Sequence, residues 1–304
     1  MTGLEELQHA VARVADSVAG SVVRIGRGPG RGAGVVVGDG TVLTNAHNLR
    51  GSETAVSFAD GRVERGAVAG VDVDSDLAVL HVQTAGATPV EWREGGPAIG
   101  TAVFAVTSPS GAGSRITVGT VSSSGRSFRG PRGRLVANGL EHTAPMPRGS
   151  SGSPVVDTTG KLVGINTHRL GEGFYLAIPA DSALRERVDA LARGESPTRR
   201  YLGLALLPPR AARRLRAAVG LPDRNGLLVR AVDEEGPAAR AGVRAGDLLV
   251  EAGGRELGSP DDLFEVLAAL ADDESLTVRV VRGTDDVEVR VDFDGPGAER
   301  PGTA

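Results

Sequence analysis

From Ser21 to about Ile178 the apolar residues fall in short runs cut by turn signals, with almost no helical period among them. Val22-Val23-Arg24-Ile25, Gly34-Val35-Val36-Val37, Thr41-Val42-Leu43, Ala78-Val79-Leu80, Ala102-Val103-Phe104-Ala105-Val106 and Leu162-Val163-Gly164-Ile165 read as strands. Asp39-Gly40, Asp60-Gly61 and Thr159-Gly160 punctuate them as turns. Short strands in this number must each bury a face, and the solutions are a sandwich or a barrel.

The texture differs on either side. Met1 to Ser17 reads as an amphipathic helix, with Leu4, Leu7, Val11 and Val14 at helical spacing and Glu5 and Glu6 near its start. Asp181 to Arg193 reads as a second helix, with Leu184, Val188 and Leu191 on one face. After Tyr201 helices and strands mix: helix from Arg210 to Val219, strand from Gly226 to Val232, short helix from Pro237 to Ala241, strand from Asp247 to Ala252. A helix then follows from Ser259 to Leu270, capped by Ser259 with Pro260 at its first position. Leu276 to Val281 and Val287 to Val291 form a closing hairpin. The 304 residues suffice for two domains. The expected boundaries are an N-terminal helical segment 1–20, a β-rich domain 21–193, a polar linker 194–200, a second domain 201–294 and a disordered tail 295–304.

Composition narrows the function classes. Hydrophobic residues are 40% and charged residues 24%, as in globular domains, and no apolar run is long enough to span a membrane. The net charge of −4 gives no bias toward nucleic acid. The absence of cysteine removes disulfides, thiolate catalysis and cysteine-ligated zinc. Residues 30–34 are glycine-rich but lead into a strand, so they do not make a phosphate-binding turn. The N-terminus has neither a basic nor an apolar region of a secretory signal. The expected location is cytoplasmic for the chain as given, and periplasmic or extracellular if a leader has been removed.

Three places carry chemistry as a set. His47 directly follows the strand Val42-Leu43-Thr44, Asp76 heads the strand Leu77-Ala78-Val79-Leu80, and Ser151 lies in Gly149-Ser150-Ser151-Gly152-Ser153-Pro154. Each alone has a bland reading: a structural histidine, a strand-capping acid, a surface turn. Together they give the order His, Asp, Ser with a Gly-x-Ser-Gly loop, the order of chymotrypsin-type enzymes. A serine is a poor nucleophile until a base takes its proton. His47 would be that base, and Asp76 would fix the imidazole tautomer. The backbone N–H groups of Gly149 and Ser151 would form an oxyanion hole.

These residues resemble the HtrA/Deg family of trypsin-like serine proteases with a C-terminal PDZ domain. The resemblance also takes in Gly32-Ala33-Gly34-Val35-Val36-Val37, Gly164-Ile165-Asn166-Thr167 and Ala177-Ile178-Pro179. It implies a mainly β fold: a chymotrypsin-like double β-barrel followed by a small α+β PDZ domain. It implies endopeptidase activity on unfolded or damaged proteins without ATP, cofactor or metal. The S1 pocket would be lined by Met146, Arg169 and Leu170. No acid sits there, which argues against Lys or Arg at P1 and for a small or medium apolar residue.

The sequence departs from the family pattern at Asn48 for valine, Ser150 for asparagine, Ser153 for the second glycine after the nucleophile, and Thr143 for an upstream aspartate. No triad member is lost, and Ser153 is expected to stiffen the loop. In the second domain Tyr201-Leu202-Gly203-Leu204 resembles the carboxylate-binding loop of family PDZ domains, and Leu263 and Leu267 would wall the groove. The partners implied are unfolded polypeptides or peptide C-termini. A homotrimer is expected from the resemblance, although residues 1–20 lack the aromatics through which family trimers form. The competing reading is a peptide-binding chaperone or adaptor with a weak or switched-off protease site.

Overall fold

The computed structural model describes residues 2–27, 32–108, 113–129, 135–196, 200–271 and 274–293. The chain divides into two compact units, Met1–Pro197 and Thr198–Ala304. The expected tail and part of the expected linker lie outside the described residues.

The first unit opens with α1, Gly3–Val18, whose N-terminus is closed by a capping box between Thr2 and Glu5. Its buried face is Ala10, Val14 and Val18, whereas Leu4 is 75% and Leu7 39% exposed. The apolar stripe expected from Leu4 therefore starts a turn or two later, where the helix meets the barrels. Six antiparallel strands then close the first barrel: β1 Val22–Ile25, β2 Ala33–Gly38, β3 Thr41–Thr44, β4 Glu53–Ser57, β5 Val63–Asp72 and β6 Leu77–His81. Six more close the second: β7 Ala102–Thr107, β8 Arg115–Arg129, β9 Leu135–His142, β10 Pro154–Asp157, β11 Leu162–Gly171 and β12 Phe174–Pro179. Closure removes the free edges that an open sheet would expose.

Each barrel is filled by its own inward-facing residues. Val23, Ile25, Val36, Val42, Val56 and Leu80 pack in the first, and Val103, Val121, Leu140, Val155 and Val163 in the second. A larger cluster joins them. Val35, Leu43, Leu77 and Val79 meet Phe104, Val106, Leu162 and Ile165, and the buried faces of α1 and of α2, Ser182–Ala192, seal that seam. Helix α2 begins at Asp181, whose carboxylate accepts the Leu184 N–H at 2.9 Å.

The second unit is a sheet in the order β13-β14-β15-β17-β18: β13 Leu204–Leu207, β14 Leu227–Val232, β15 Leu248–Ala252, β17 Leu276–Arg282 and β18 Asp285–Val291. The short β16, Arg255–Glu256, pairs with β15. Its helices are α3 Pro209–Ala218, α4 Pro237–Arg240 and α5 Pro260–Ala269, the last capped by Ser259 as expected. Leu227, Val229, Leu249, Leu276, Val278 and Val280 form its core.

One close approach fixes α2. A Cβ on Gly70, in β5, would lie 2.5 Å from the Leu191 carbonyl oxygen. Gly70→Ala should destabilise the first unit by about 1–3 kcal/mol, as overpacked sites do. Gly96→Ala, where an added Cβ meets nothing within 4 Å, should stay within about ±0.5 kcal/mol. Urea unfolding of the two variants side by side checks this.

Candidate active site

His47 sits in a single turn of 3-10 helix, Ala46–Asn48, directly after β3. Asp76 closes the turn before β6 in a left-handed conformation, φ 55°. That conformation is costly for a residue with a Cβ, and surrounding bonds must hold it. The Asp76 carbonyl accepts from the Asn45 side-chain amide at 2.9 Å and from the Ala46 N–H at 3.2 Å. The turn itself is organised by buried Asp72, which accepts from the N–H groups of Asp74 at 3.0 Å and Ser75 at 3.1 Å. Its other oxygen takes the Arg187 guanidinium from α2.

The Asp76 carboxylate is buried and fully engaged. It accepts His47 Nδ1–H at 2.8 Å and the His47 backbone N–H at 3.1 Å. Thr167 Oγ1 donates to it at 2.9 Å. An ionised carboxylate only accepts, so Nδ1 carries the proton and Nε2 is left with a lone pair. The imidazole, about one-third exposed, is thus a base facing solvent.

Ser151 stands in the loop between β9 and β10. Gly152 has φ 90°, and a Cβ there would lie 2.0 Å from the Ala33 carbonyl oxygen, so glycine is required twice over. The loop is tied on every side. The Ser151 carbonyl accepts from the Ala33 N–H and from Asn48 Nδ2, each at 2.8 Å. The Gly152 N–H donates to the Asn166 carbonyl at 2.7 Å, and Ser150 Oγ donates to the Pro147 carbonyl at 2.8 Å. Among the described residues the N–H groups of Gly149 and Ser151 find no acceptor. The Ser151 hydroxyl donates to the Thr167 carbonyl at 3.0 Å. Thr167 therefore touches Asp76 through its side chain and Ser151 through its backbone.

The structure thus brings His47, Asp76 and Thr167 together, and Thr167 to Ser151. Sequence reasoning passed over Thr167, which it saw only as the end of Gly164-Ile165-Asn166-Thr167. It noticed Asn48 but gave it no task. Asn48 spans from the histidine turn to the nucleophile loop, with a further bond to Thr44 Oγ1 at 3.0 Å. Its amide fills the space that a Cβ on Gly32 would enter, at 2.3 Å. Of the three S1 candidates, Met146 is buried with Ala105, Ala144 and Tyr175, and the Arg169 guanidinium donates to the Met146 carbonyl. Leu170 is 47% exposed. In the second unit Tyr201 OH donates to Asp233 at 3.0 Å, and the Leu202 and Gly203 carbonyls accept from Ala238 and Asp233. Leu204 opens β13, an edge strand of the sheet. Leu267 is half-buried, but Leu263 is 3% exposed and packs into the core, so it does not wall a groove with its side chain.

Behind the nucleophile loop lies a buried polar chain. His142 Nδ1 accepts the Ala144 N–H at 3.2 Å, so Nε2 holds the proton and donates to Asn166 Oδ1 at 2.8 Å. Asn166 Nδ2 then donates to Ser153 Oγ at 3.0 Å. Burial pushes the His142 pKa below its ordinary value, outweighing the Asn166 oxygen and the Glu141 carboxylate, which pull it up.

A family model described as "Trypsin-like peptidase domain" matches residues 32–165, and one described as "PDZ domain" matches residues 228–282. The chain is 31% identical to serine endoprotease DegS of Escherichia coli, over 82% of this chain and 75% of that protein. It is 31% identical to a probable periplasmic serine endoprotease DegP-like of Brucella suis, over 86% of this chain. It spans about half the length of the DegP-like relatives, 52% for that one. Among solved structures, a serine endoprotease from Yersinia pestis superposes with TM-score 0.65 at 27% identity, covering 92% of this chain and 96% of that one. The HtrA-type protease AlgW with tripeptide gives TM-score 0.61 at 25% identity, covering 92% and 95%.

The His142 chain has a consequence for stability. With its folded pKa depressed, the unfolded state binds more protons below about pH 6.5. The stability due to neutral His142 is therefore complete above that pH and is lost as pH falls toward the folded pKa. Urea midpoints at about pH 7.5 and pH 5 should fall further for the wild type than for His142→Gln, which has no proton to gain.

Proposed function

The chain belongs to the HtrA/Deg family of trypsin-like serine proteases with a PDZ domain, and from that membership we propose that it is an ATP-independent serine endopeptidase acting on unfolded or damaged polypeptides. The observation that carries the reading is the 2.8 Å contact of His47 Nδ1 with Asp76, tied through Thr167 to Ser151.

The chemistry follows from those contacts. The Ser151 hydroxyl exchanges the Thr167 carbonyl for His47 Nε2. Its oxygen attacks the scissile carbonyl carbon while the proton passes to Nε2, and Asp76, remaining ionised, stabilises the imidazolium. The negative oxygen is received by the Gly149 and Ser151 N–H groups, each such donor being worth about 10²–10³ in rate. The C–N bond then breaks as His47 returns the proton to the leaving amine. Water, deprotonated by His47, attacks the acyl-enzyme, and Ser151 leaves with the proton restored. No step calls for a cofactor or metal.

We assign peptide recruitment to the second unit. The Tyr201-Leu202-Gly203-Leu204 loop has its Leu202 and Gly203 carbonyls engaged inward. Their N–H groups make no backbone bond among the described residues. A peptide carboxylate would accept from such N–H groups while its chain adds alongside the edge strand β13. The name of the DegP-like relatives supports the periplasmic alternative for location. The exposed Leu4 and Leu7 of α1 offer an apolar strip that supports the homotrimer.

One observation favours the second reading, a peptide-binding adaptor with a resting protease site: Ser151 bonds Thr167 rather than His47. Stoichiometric labelling of Ser151 by a fluorophosphonate supports the peptidase. Silence with intact peptide binding supports the adaptor. In casein cleavage, Ser151→Ala and His47→Ala should each lose several orders of magnitude, with the double variant scarcely worse, because these groups act as a unit. Multiplying losses would refute the assignment.

For the second unit, the full chain carrying Ser151→Ala should bind a peptide with an apolar terminus and free carboxylate more tightly than its amide, by about 1.5–3 kcal/mol. Equal affinities in a calorimetric titration would mean that the loop does not read the carboxylate.

A further inference from the structure

The sequence reading puts Arg169 with Met146 and Leu170 around the S1 pocket and expects an apolar P1 residue, and the structure ties the Arg169 guanidinium to the Met146 carbonyl. Arg169 lies on β11 two residues after Thr167, whose carbonyl holds the nucleophile. In the antiparallel register it stands directly opposite Tyr175 on β12. Its guanidinium carbon lies 5.5 Å from the centroid of the Tyr175 ring, and Nη2 donates to the carbonyl of Met146, five residues before Ser151. Met146 and Tyr175 pack against each other and are buried. The cation thus spans from the Tyr175 ring to the carbonyl of Met146, one of the residues expected to line the P1 pocket.

Among the described residues Arg169 makes no ion pair, and neither does exposed Arg148, which immediately precedes the oxyanion candidate Gly149. Asp76 holds His47 and Thr167, and the buried Glu141 carboxylate accepts from Ser122 Oγ at 2.9 Å, while exposed Glu172, in the turn three residues on, makes no ion pair with Arg169 among the described residues. One nitrogen of the Arg169 fork is used by Met146. The fork retains donors, and its carbon lies over the Tyr175 ring. A planar, oriented guanidinium with donors to spare fits a carboxylate, and it disfavours a lysine or arginine side chain by like charge.

We propose that Arg169 is the specificity-determining residue of the primary pocket and that it selects aspartate or glutamate at P1, with Arg148 adding to the positive field at the pocket mouth. The proposal rests on the serine-peptidase reading above. It differs from a structural role for Arg169, in which the side chain would only cover Tyr175 and cap the Met146 carbonyl.

The test uses the full chain on a set of quenched-fluorescent peptides identical except at P1, with Ser151 labelling by a fluorophosphonate measured in parallel. Wild type should cleave after Asp or Glu with kcat/KM about 10–100-fold above Leu, Val or Ala, as charge-assisted hydrogen bonds allow. Arg169→Met keeps the bulk over Tyr175 and should lose that ratio while Ser151 still labels. Arg169→Lys should restore part of it, and Arg169→Glu should shift the preference toward Lys or Arg. Faster cleavage after apolar residues by the wild type overturns the proposal. So does an unchanged P1 ranking in Arg169→Met, or an Arg169→Met variant that only gains rate on apolar P1, which would make the guanidinium a plug. If wild-type Ser151 does not label at all, the peptidase reading fails and this inference fails with it. Labelling with no acidic preference sinks the inference alone.

Discussion

Everything at the site depends on one buried carboxylate. Asp76 accepts hydrogen bonds from the His47 ring, the His47 backbone and Thr167, and its own carbonyl is held by Asn45 and Ala46. A buried charge is tolerated only when its hydrogen bonds are satisfied. Here the bonds that satisfy it are the same bonds that aim the base. The left-handed backbone at Asp76 is strain stored where it is useful, and Asp72 with Arg187 anchors the turn that holds it. Both barrels contribute: Asp76 and His47 come from the first, Thr167 and Ser151 from the second. The shared apolar seam around Phe104 and Leu43 keeps those contributions in register.

The sequence made parts of this legible for identifiable reasons. Strands such as β1, β3 and β7 are nearly pure β-branched or aliphatic runs because they are buried on most positions. Strands β5 and β8 were passed over because glycine, serine and arginine interrupt the apolar residues of Val63–Asp72 and Arg115–Arg129, and both ladders bulge. Period-two patterning fades when a strand bulges and twists around a barrel. The helix ends were readable because Ser259 and Asp181 do what capping side chains do. The first turn of α1 was misread because periodicity alone cannot say where a partner surface begins. The same limit applies to Leu263, whose spacing fits a groove wall and the core equally well.

His47, Asp76 and Ser151 could be picked out as candidates because their chain order is informative. The residues that support it were not, because their partners are distant in sequence. Asn48 and Ser151 are 103 residues apart, and Thr167 and Asp76 are 91 apart. No local pattern encodes such a bond. The departures at Asn48 and Ser153 did point to the region. They could be seen as unusual, but their tasks could not be assigned until the fold brought them to the nucleophile loop.

Those departures share a physical logic. Placing a polar side chain where an apolar or absent one would serve creates a buried group that needs a partner. Ser153 finds Asn166, and Asn166 finds His142, so the hydroxyl is satisfied by a chain that ends on a buried imidazole. Asn48 finds the Ser151 carbonyl and Thr44, and it requires that Gly32 lack a Cβ. Neither substitution is therefore independent of its neighbours. An apolar residue at His142 would leave the Asn166 oxygen without its donor. A side chain at Gly32 would displace the amide that links the histidine turn to the serine loop. The polar groups around Ser151 stiffen the loop from two sides, Asn48 from the first barrel and Asn166 from the second. The hydroxyl itself is left as the group free to turn from Thr167 toward the base.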